Sequence, residues 1–163
     1  MEILSRIEKT EKNMDQDNGA PCADQPLRAA LCDVRSFLRD AGLRPTRQRL
    51  ALGQLLFTGH GRHLTAEILY EEAVRRSIPV SLATVYNTLH QFTEAGLLRE
   101  IVVDGSKTYF DTDTSDHHHF YVEEDGKIVD IPSDSVAFNQ LPSAPDGMEI
   151  TRVDVVVRLR NSK

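Results

Sequence analysis

Three features of the sequence predict an α+β chain. Two short capped helices are joined by a tight connection, a hairpin follows them directly, and an acidic C-terminal third is built of alternating strands. The first two describe a helix-turn-helix carrying a wing, and the third describes a small α/β module. The 163 residues accordingly divide into an N-terminal arm (1–26), a winged helix-turn-helix unit (27–111) and an α/β unit (112–163) suited to dimerisation.

Residues 1–26 mix charge with Asn, Gln, Gly and Pro and hold no sustained period, which predicts a mobile arm. From about Pro26 to Asp40, Leu27, Leu31, Val34, Phe37 and Leu38 form the apolar stripe of a first helix, ended by Gly42. Thr46 can cap a second, which carries Leu50, Leu52, Leu55, Leu56 and Phe57 before Gly59 and Gly61 stop it. Thr65 caps a third. Glu67 stands in its first turn, where the helix dipole favours an acid, and Pro79 closes the segment. Ser81 opens a fourth helix whose stripe is Leu82, Val85, Leu89 and Phe92, with Gly96 beyond its end.

The period then changes to two. Residues 97–103 read as a strand, Asp104-Gly105 is a hairpin turn signal, and Thr108-Tyr109-Phe110 returns. Further on, His118–Val122 and Lys127–Ile131 read as strands about Gly126. A loose helix is expected over residues 133–145, weakened by Pro142 and Pro145, and an alternating strand over Ile150–Leu159.

Charge along the chain separates the same units. The net charge is −6, yet residues 28–99 hold ten basic side chains, all arginine, against six acidic ones. Residues 100–163 reverse this, with thirteen acidic against six basic. A basic head facing a polyanion and an acidic base holding cations fit that split. No apolar run approaches the ~20 residues needed to span a bilayer, and no export signal opens the chain, so a cytoplasmic protein with no membrane partner is expected. Cys22 and Cys32 form no CxxC pair, which excludes the commonest thiolate zinc clip and suits reduced thiols.

On the fourth helix Leu82 and Val85 face the core, leaving Ser81, Ala83, Thr84, Tyr86 and Asn87 outward. Alanine and threonine methyls can meet a thymine methyl, and asparagine can pair with adenine. Arg44, Arg47 and Arg49 flank the start of the second helix as phosphate clamps, with Arg62 and Arg99 as weaker ones. Double-stranded DNA is therefore the expected partner.

Three consecutive histidines, His117-His118-His119, stand in a strand, so His117 and His119 share one face while His118 shares the other with Asp116. Imidazoles and carboxylates suit iron, manganese or zinc. Further ligands must come from a distance, and His63, Asp104 and Asp130 are the candidates. Such a site would join both units. The histidines suit haem as well, whose iron accepts axial imidazole.

Four separated motifs carry a family resemblance. They are residues 42–49 (GLRPTRQR), 63–67 (HLTAE), 81–89 (SLATVYNTL) and 117–119 (HHH). The chain resembles the ferric uptake regulator family over residues 27–160, and most closely its iron response regulator branch. The resemblance implies a dimeric, iron- or haem-responsive transcription regulator. It would bind palindromic operator DNA and control iron and haem metabolism genes. It implies a regulatory site of His63, Asp104, His117, His119 and Asp130 for Fe2+ or Mn2+, with Zn2+ able to substitute in vitro. Asp116 and His118 would belong to a second metal or haem site, left incomplete because Val153 stands where its last histidine belongs. Val122 and Asp125 occupy positions where structural zinc cysteines are usual. The alternatives are a metal or haem buffer and a metal-dependent enzyme; no activated nucleophile supports the latter, and no enzyme is expected.

Overall fold

The computed structural model describes residues 33–59, 61–104 and 107–162. The expected arm, and the part of the first helix before Asp33, lie outside the described residues.

Among the described residues, four helices and two three-stranded sheets follow in order. Helices α1 (Val34–Asp40) and α2 (Arg47–Phe57) precede a two-residue strand β1 (His63–Leu64), then α3 (Ala66–Arg75) and α4 (Leu82–Glu94). Strands β2 (Arg99–Asp104) and β3 (Lys107–Asp111) form the hairpin, and β4 (His117–Val122), β5 (Lys127–Pro132) and β6 (Val156–Leu159) form the second sheet. The helix starts follow local chemistry. Thr46, Thr65 and Ser81 each accept a hydrogen bond from the backbone N–H three residues on, which satisfies a donor that the first helical turn leaves open.

The helices close round Leu52, Leu56, Phe57, Leu69, Leu89 and Phe92, all essentially buried. Phe57 meets Phe37 edge-on at 5.0 Å and lies 5.6 Å from Phe92, so this core has an aromatic centre despite the scarcity of rings. The first sheet has the order β1-β3-β2 and is antiparallel, pairing His63 with Asp111 and Arg99 with Asp111 from the other side. The second has the order β5-β4-β6, with β4 antiparallel to β5 and parallel to β6.

Two expectations in the C-terminal part fail. The segment after β5 makes a single 3-10 turn at Ser133–Ser135 and no helix beyond it, since Pro142 and Pro145 remove the amides a helix would use. The final strand shortens to Val156–Leu159, because only there does β4 offer a ladder partner.

A second, smaller apolar cluster joins the two sheets: Ile101, Val103 and Tyr109 from the hairpin against Tyr121, Ile128 and Val156. The Tyr109 hydroxyl donates to the Gly126 carbonyl at 2.9 Å, and the Arg158 guanidinium donates to the Val103 carbonyl. Gly126 sits at φ +59, and a Cβ there would come 3.2 Å from the Tyr109 hydroxyl.

Phe92 is fully buried at the end of α4. Phe92→Ala should therefore lower unfolding free energy by about 3–5 kcal/mol, read as a reduced urea midpoint with little change in slope.

Candidate functional site

Asp111 ends β3, His63 opens the neighbouring β1, and the two are ladder partners. His117 and His119 alternate along β4 with His119 opposite Asp130 of β5. The two sheets thus deliver five side chains to one place, and one donor atom from each lies within 4.8 Å of all the others. Donors at about 2.0–2.2 Å from a single ion span at most about 4.4 Å, so small side-chain movements bring the set to that spacing.

Asp111 is fully buried and forms the hub. Its Oδ2 lies 2.9 Å from His117 Nε2, 3.3 Å from His119 Nε2 and 3.4 Å from His63 Nε2. Asp130 closes the outer side, its Oδ1 lying 2.9 Å from His63 Nε2 and 3.4 Å from His117 Nε2. His63 Nε2 sits at ion-pair distance from both carboxylates, yet neither contact is aligned as a hydrogen bond. His117 and His119 Nε2 are hydrogen-bonded to Asp111 while His63 Nε2 is left without an aligned partner, and three imidazole nitrogens with two carboxylate oxygens at this spacing fit a divalent cation such as iron, manganese or zinc. Behind His117, Nδ1 lies 2.9 Å from the Ser115 carbonyl, which can accept its proton and leave the Nε2 lone pair facing the carboxylates.

The electrostatics agree. Burial alone would lower the His63 pKa, but Asp111 and Asp130 beside it prevail and raise it from 6.5 to about 9. Burial would raise Asp111, whereas His119 and His63 hold it well below the usual carboxylate range. The close His63 imidazole likewise lowers Asp130. In the metal-free protein a proton on His63 supplies the positive charge that two close carboxylates require.

The side chain of Asp104 lies outside the described ones, and only its backbone can be placed. That backbone pairs with Lys107 beside the turn, at the far end of the ribbon from Asp111, so it stands several residues away along β2. Asp111 takes the expected role. Its signals were the return strand running back toward the base and a separation of only six residues from His117. Asp116 and His118 belong to no group of three or more donors among the described residues. Asp116 is exposed and faces Arg152 at 3.4 Å. His118 is buried, its Nδ1 has no partner, and its ring meets Phe138 edge-on at 5.8 Å.

On the helical side, α4 presents Ser81, Ala83 and Asn87 as exposed and Thr84 and Tyr86 as half-buried, with Val85, Thr88 and Leu89 inward. The Ser81 hydroxyl is engaged as the cap, 2.9 Å from the Thr84 hydroxyl. Tyr86 donates to the Glu67 carboxylate of α3, which lowers the Glu67 pKa and raises that of Tyr86. Arg44 and Arg47 are exposed, and Arg47 lines a cleft of about 540 Å³ with Thr46, Ser77 and Pro79. Arg49 differs from its expected role. Its guanidinium donates to Gln91 Oε1 at 2.8 and 3.1 Å and to the Arg44 carbonyl at 2.9 Å, so it braces α2 against α4. Arg62 is taken up by Glu72 and the Leu55 carbonyl, and Arg99 by Asp154.

Two outcomes follow. Asp111→Ala should abolish tight uptake of Mn2+ measured by chelator competition, whereas Asp104→Ala should leave it within about threefold. In the metal-free protein the raised His63 contributes stability that is fully present below pH 6.5 and lost as pH rises through about 9, up to about 3 kcal/mol. The lowered Asp111 and Asp130 contribute stability present above their ordinary 3.8 and lost in acid. Urea unfolding in chelator should therefore be most resistant at weakly acidic pH and weaken toward pH 9.

The sequence and the coordinates have recognisable relatives. A sequence profile of the ferric uptake regulator family matches residues 40–158. A peroxide-responsive repressor, PerR, of Staphylococcus epidermidis is 39% identical over 93 residues, which are 57% of this chain and 61% of that protein, so the chain spans under two thirds of its length. The ferric uptake regulation protein of Vibrio cholerae is 32% identical over 111 residues, 68% of this chain and 74% of that one. The structure of the ferric uptake regulator from Pseudomonas aeruginosa with manganese superposes with a TM-score of 0.64 at 27% identity, covering 81% of this chain and all of that one. With a helical head, a hairpin and a separate base sheet in the same arrangement, the chain belongs to the ferric uptake regulator family, whose members are transcription regulators and not enzymes.

Proposed function

We propose that this protein is a divalent-metal-responsive transcription regulator that binds palindromic operator DNA as a homodimer in the cytoplasm, with Fe2+ or Mn2+ as effector and Zn2+ able to substitute in vitro. The observation that carries this reading is the convergence of His63 and Asp111 from one sheet with His117, His119 and Asp130 from the other. A bound cation would supply the positive charge that these five residues otherwise obtain from a proton on His63. His63 and Asp111 belong to the head and the other three to the base, so filling the centre favours one angle between them. In a dimer that angle sets the spacing of two α4 helices, and hence the fit to two half-sites.

The DNA-facing set in this reading is Arg44, Arg47, Ser81, Ala83, Thr84, Tyr86 and Asn87, with Arg49 acting indirectly as a brace. Glu67 restrains Tyr86, so reading a base edge with that ring requires the Tyr86–Glu67 hydrogen bond to yield or to turn with it. Phe138, Leu141, Met148 and Ile150 are exposed apolar side chains on the base and supply surface for the second copy.

Haem is a second reading of the effector, supported by the unpartnered Nδ1 of His118. All three consecutive histidines are at most 7% exposed, and His117 and His119 are turned toward carboxylates. Axial ligation therefore falls to His118 and requires the Phe138 segment to move aside. Hemin titration of His118→Ala and of His117→Ala separates the two: haem as effector requires the Soret shift to be lost in the first and kept in the second.

Selection of bound genomic fragments with and without Mn2+ tests the main reading. Retention should depend on the metal, and its log-log salt slope should be several units steep. Arg47→Ala should weaken retention about tenfold or more without altering metal content. Metal-independent, salt-insensitive retention would contradict the proposal.

A further inference from the structure

Arg99 reaches from the hairpin sheet to the strand that carries His117. It opens β2 beside the ligand Asp111 in the ladder. Its guanidinium leaves the hairpin and enters the base, where it donates to the Ser115 carbonyl at 2.7 Å and to Asp154 Oδ1 at 2.6 Å. The same group lies 3.2 Å from His117 Nδ1, on the side of the ring opposite the carboxylates, and 3.5 Å from the His117 carbonyl. The side chain is only 9% exposed.

A cation this buried is tolerated only when paired, and Asp154 pairs it. Arg152 shares the pair through its Nε at 2.8 Å from Asp154 Oδ1 and reaches the Ser115 carbonyl at 3.4 Å. The planar fork matters here, because Ser115 and Asp154 lie in different directions and separate nitrogens meet them. A carbonyl that receives Arg99 also lies against His117 Nδ1, so the guanidinium fixes the Ser115 backbone that orients the ring.

We propose that Arg99 is a positioning residue that preassembles the metal centre. It pins the head to the base and holds His117 with Nε2 turned inward before any cation arrives. This rests on the metal-centre reading above. Two effects of removing it oppose one another. Losing the pin costs affinity, because the ligand sets of the two sheets must then be brought together by the ion itself. Losing a positive charge near the ligands would raise affinity. Asp154 at 2.6 Å, although shared with Arg152, screens that charge, and the guanidinium lies behind His117 rather than among the ligand atoms, so the pin prevails.

The test is Mn2+ and Zn2+ affinity by chelator competition on the full chain, with thermal melting of each variant alongside. Arg99→Ala should bind at least tenfold more weakly, equivalent to about 1.4 kcal/mol. Arg99→Lys should not rescue it, since a single ammonium cannot meet the Ser115 carbonyl and Asp154 together. Asp154→Asn, which leaves every ligand and the guanidinium in place, should lose about threefold. It decides the matter alone if Arg99→Ala does not fold. Arg49→Ala, which removes a brace confined to the helical head, should lower Tm yet leave metal affinity within twofold. Unchanged affinity in Arg99→Ala would make Arg99 a bystander, and tighter binding would make it an electrostatic brake; either overturns the proposal. Wild-type protein that takes up neither ion, or binds as well after His117→Ala with His119→Ala, would sink the metal-centre reading and this proposal with it. Normal wild-type binding with an indifferent Arg99→Ala sinks only the latter.

Discussion

A carboxylate with no access to water has to find positive charge within the protein, and Asp111 is such a carboxylate. It terminates the hairpin that follows the α4 helix, so whatever answers its charge must be brought to that strand end. His63 answers it from β1, while His117 and His119 supply hydrogen-bonding imidazoles from the base sheet and Asp130 completes the ring. The relation of head to base is therefore an electrostatic matter at one end of the junction. At the other end it is an apolar one, where Ile101, Val103 and Tyr109 meet Tyr121 and Ile128. In the proposed regulator, a junction built in these two ways would keep its apolar contact while its polar end answered to occupancy.

The arginines divide along the same line. Arg49, Arg62 and Arg99 spend their donors on carbonyls and carboxylates inside the protein, whereas Arg44 and Arg47 remain outward. The uniform arginine content of the basic region thus serves two ends. Forked guanidinium groups cross-brace a small helical core that has few aromatic residues, and the remaining ones keep their charge available to a polyanion. Counting positive charges in that region overstates the number free for phosphate contact.

Local features were legible before any coordinates. Thr46, Thr65 and Ser81 announce helix starts because a cap is a three-residue interaction, and the stripe from Leu82 to Phe92 follows from a period that needs no tertiary information. His117 and His119 share a face for the same reason. Asp111 was missed because its role depends on pairing with a two-residue strand, and His63–Leu64 is too short to carry any period. Asp104 attracted the assignment through its turn signal, and its backbone stands beside that turn, at the opposite end of the hairpin from Asp111. Arg49 was expected as a phosphate clamp and Arg99 as a weaker one, because a sequence gives a guanidinium's presence and not its partners. The expected helix over residues 133–145 failed where Pro142 and Pro145 denied it amides.

Gly126 has an importance its size conceals. Its left-handed turn faces the Tyr109 hydroxyl so closely that one added carbon would crowd it. The tie between hairpin and base thus runs through a position where a side chain would be strained and would push the Tyr109 hydroxyl aside by a few tenths of an ångström, so a cross-sheet hydrogen bond is secured by the one residue without a Cβ.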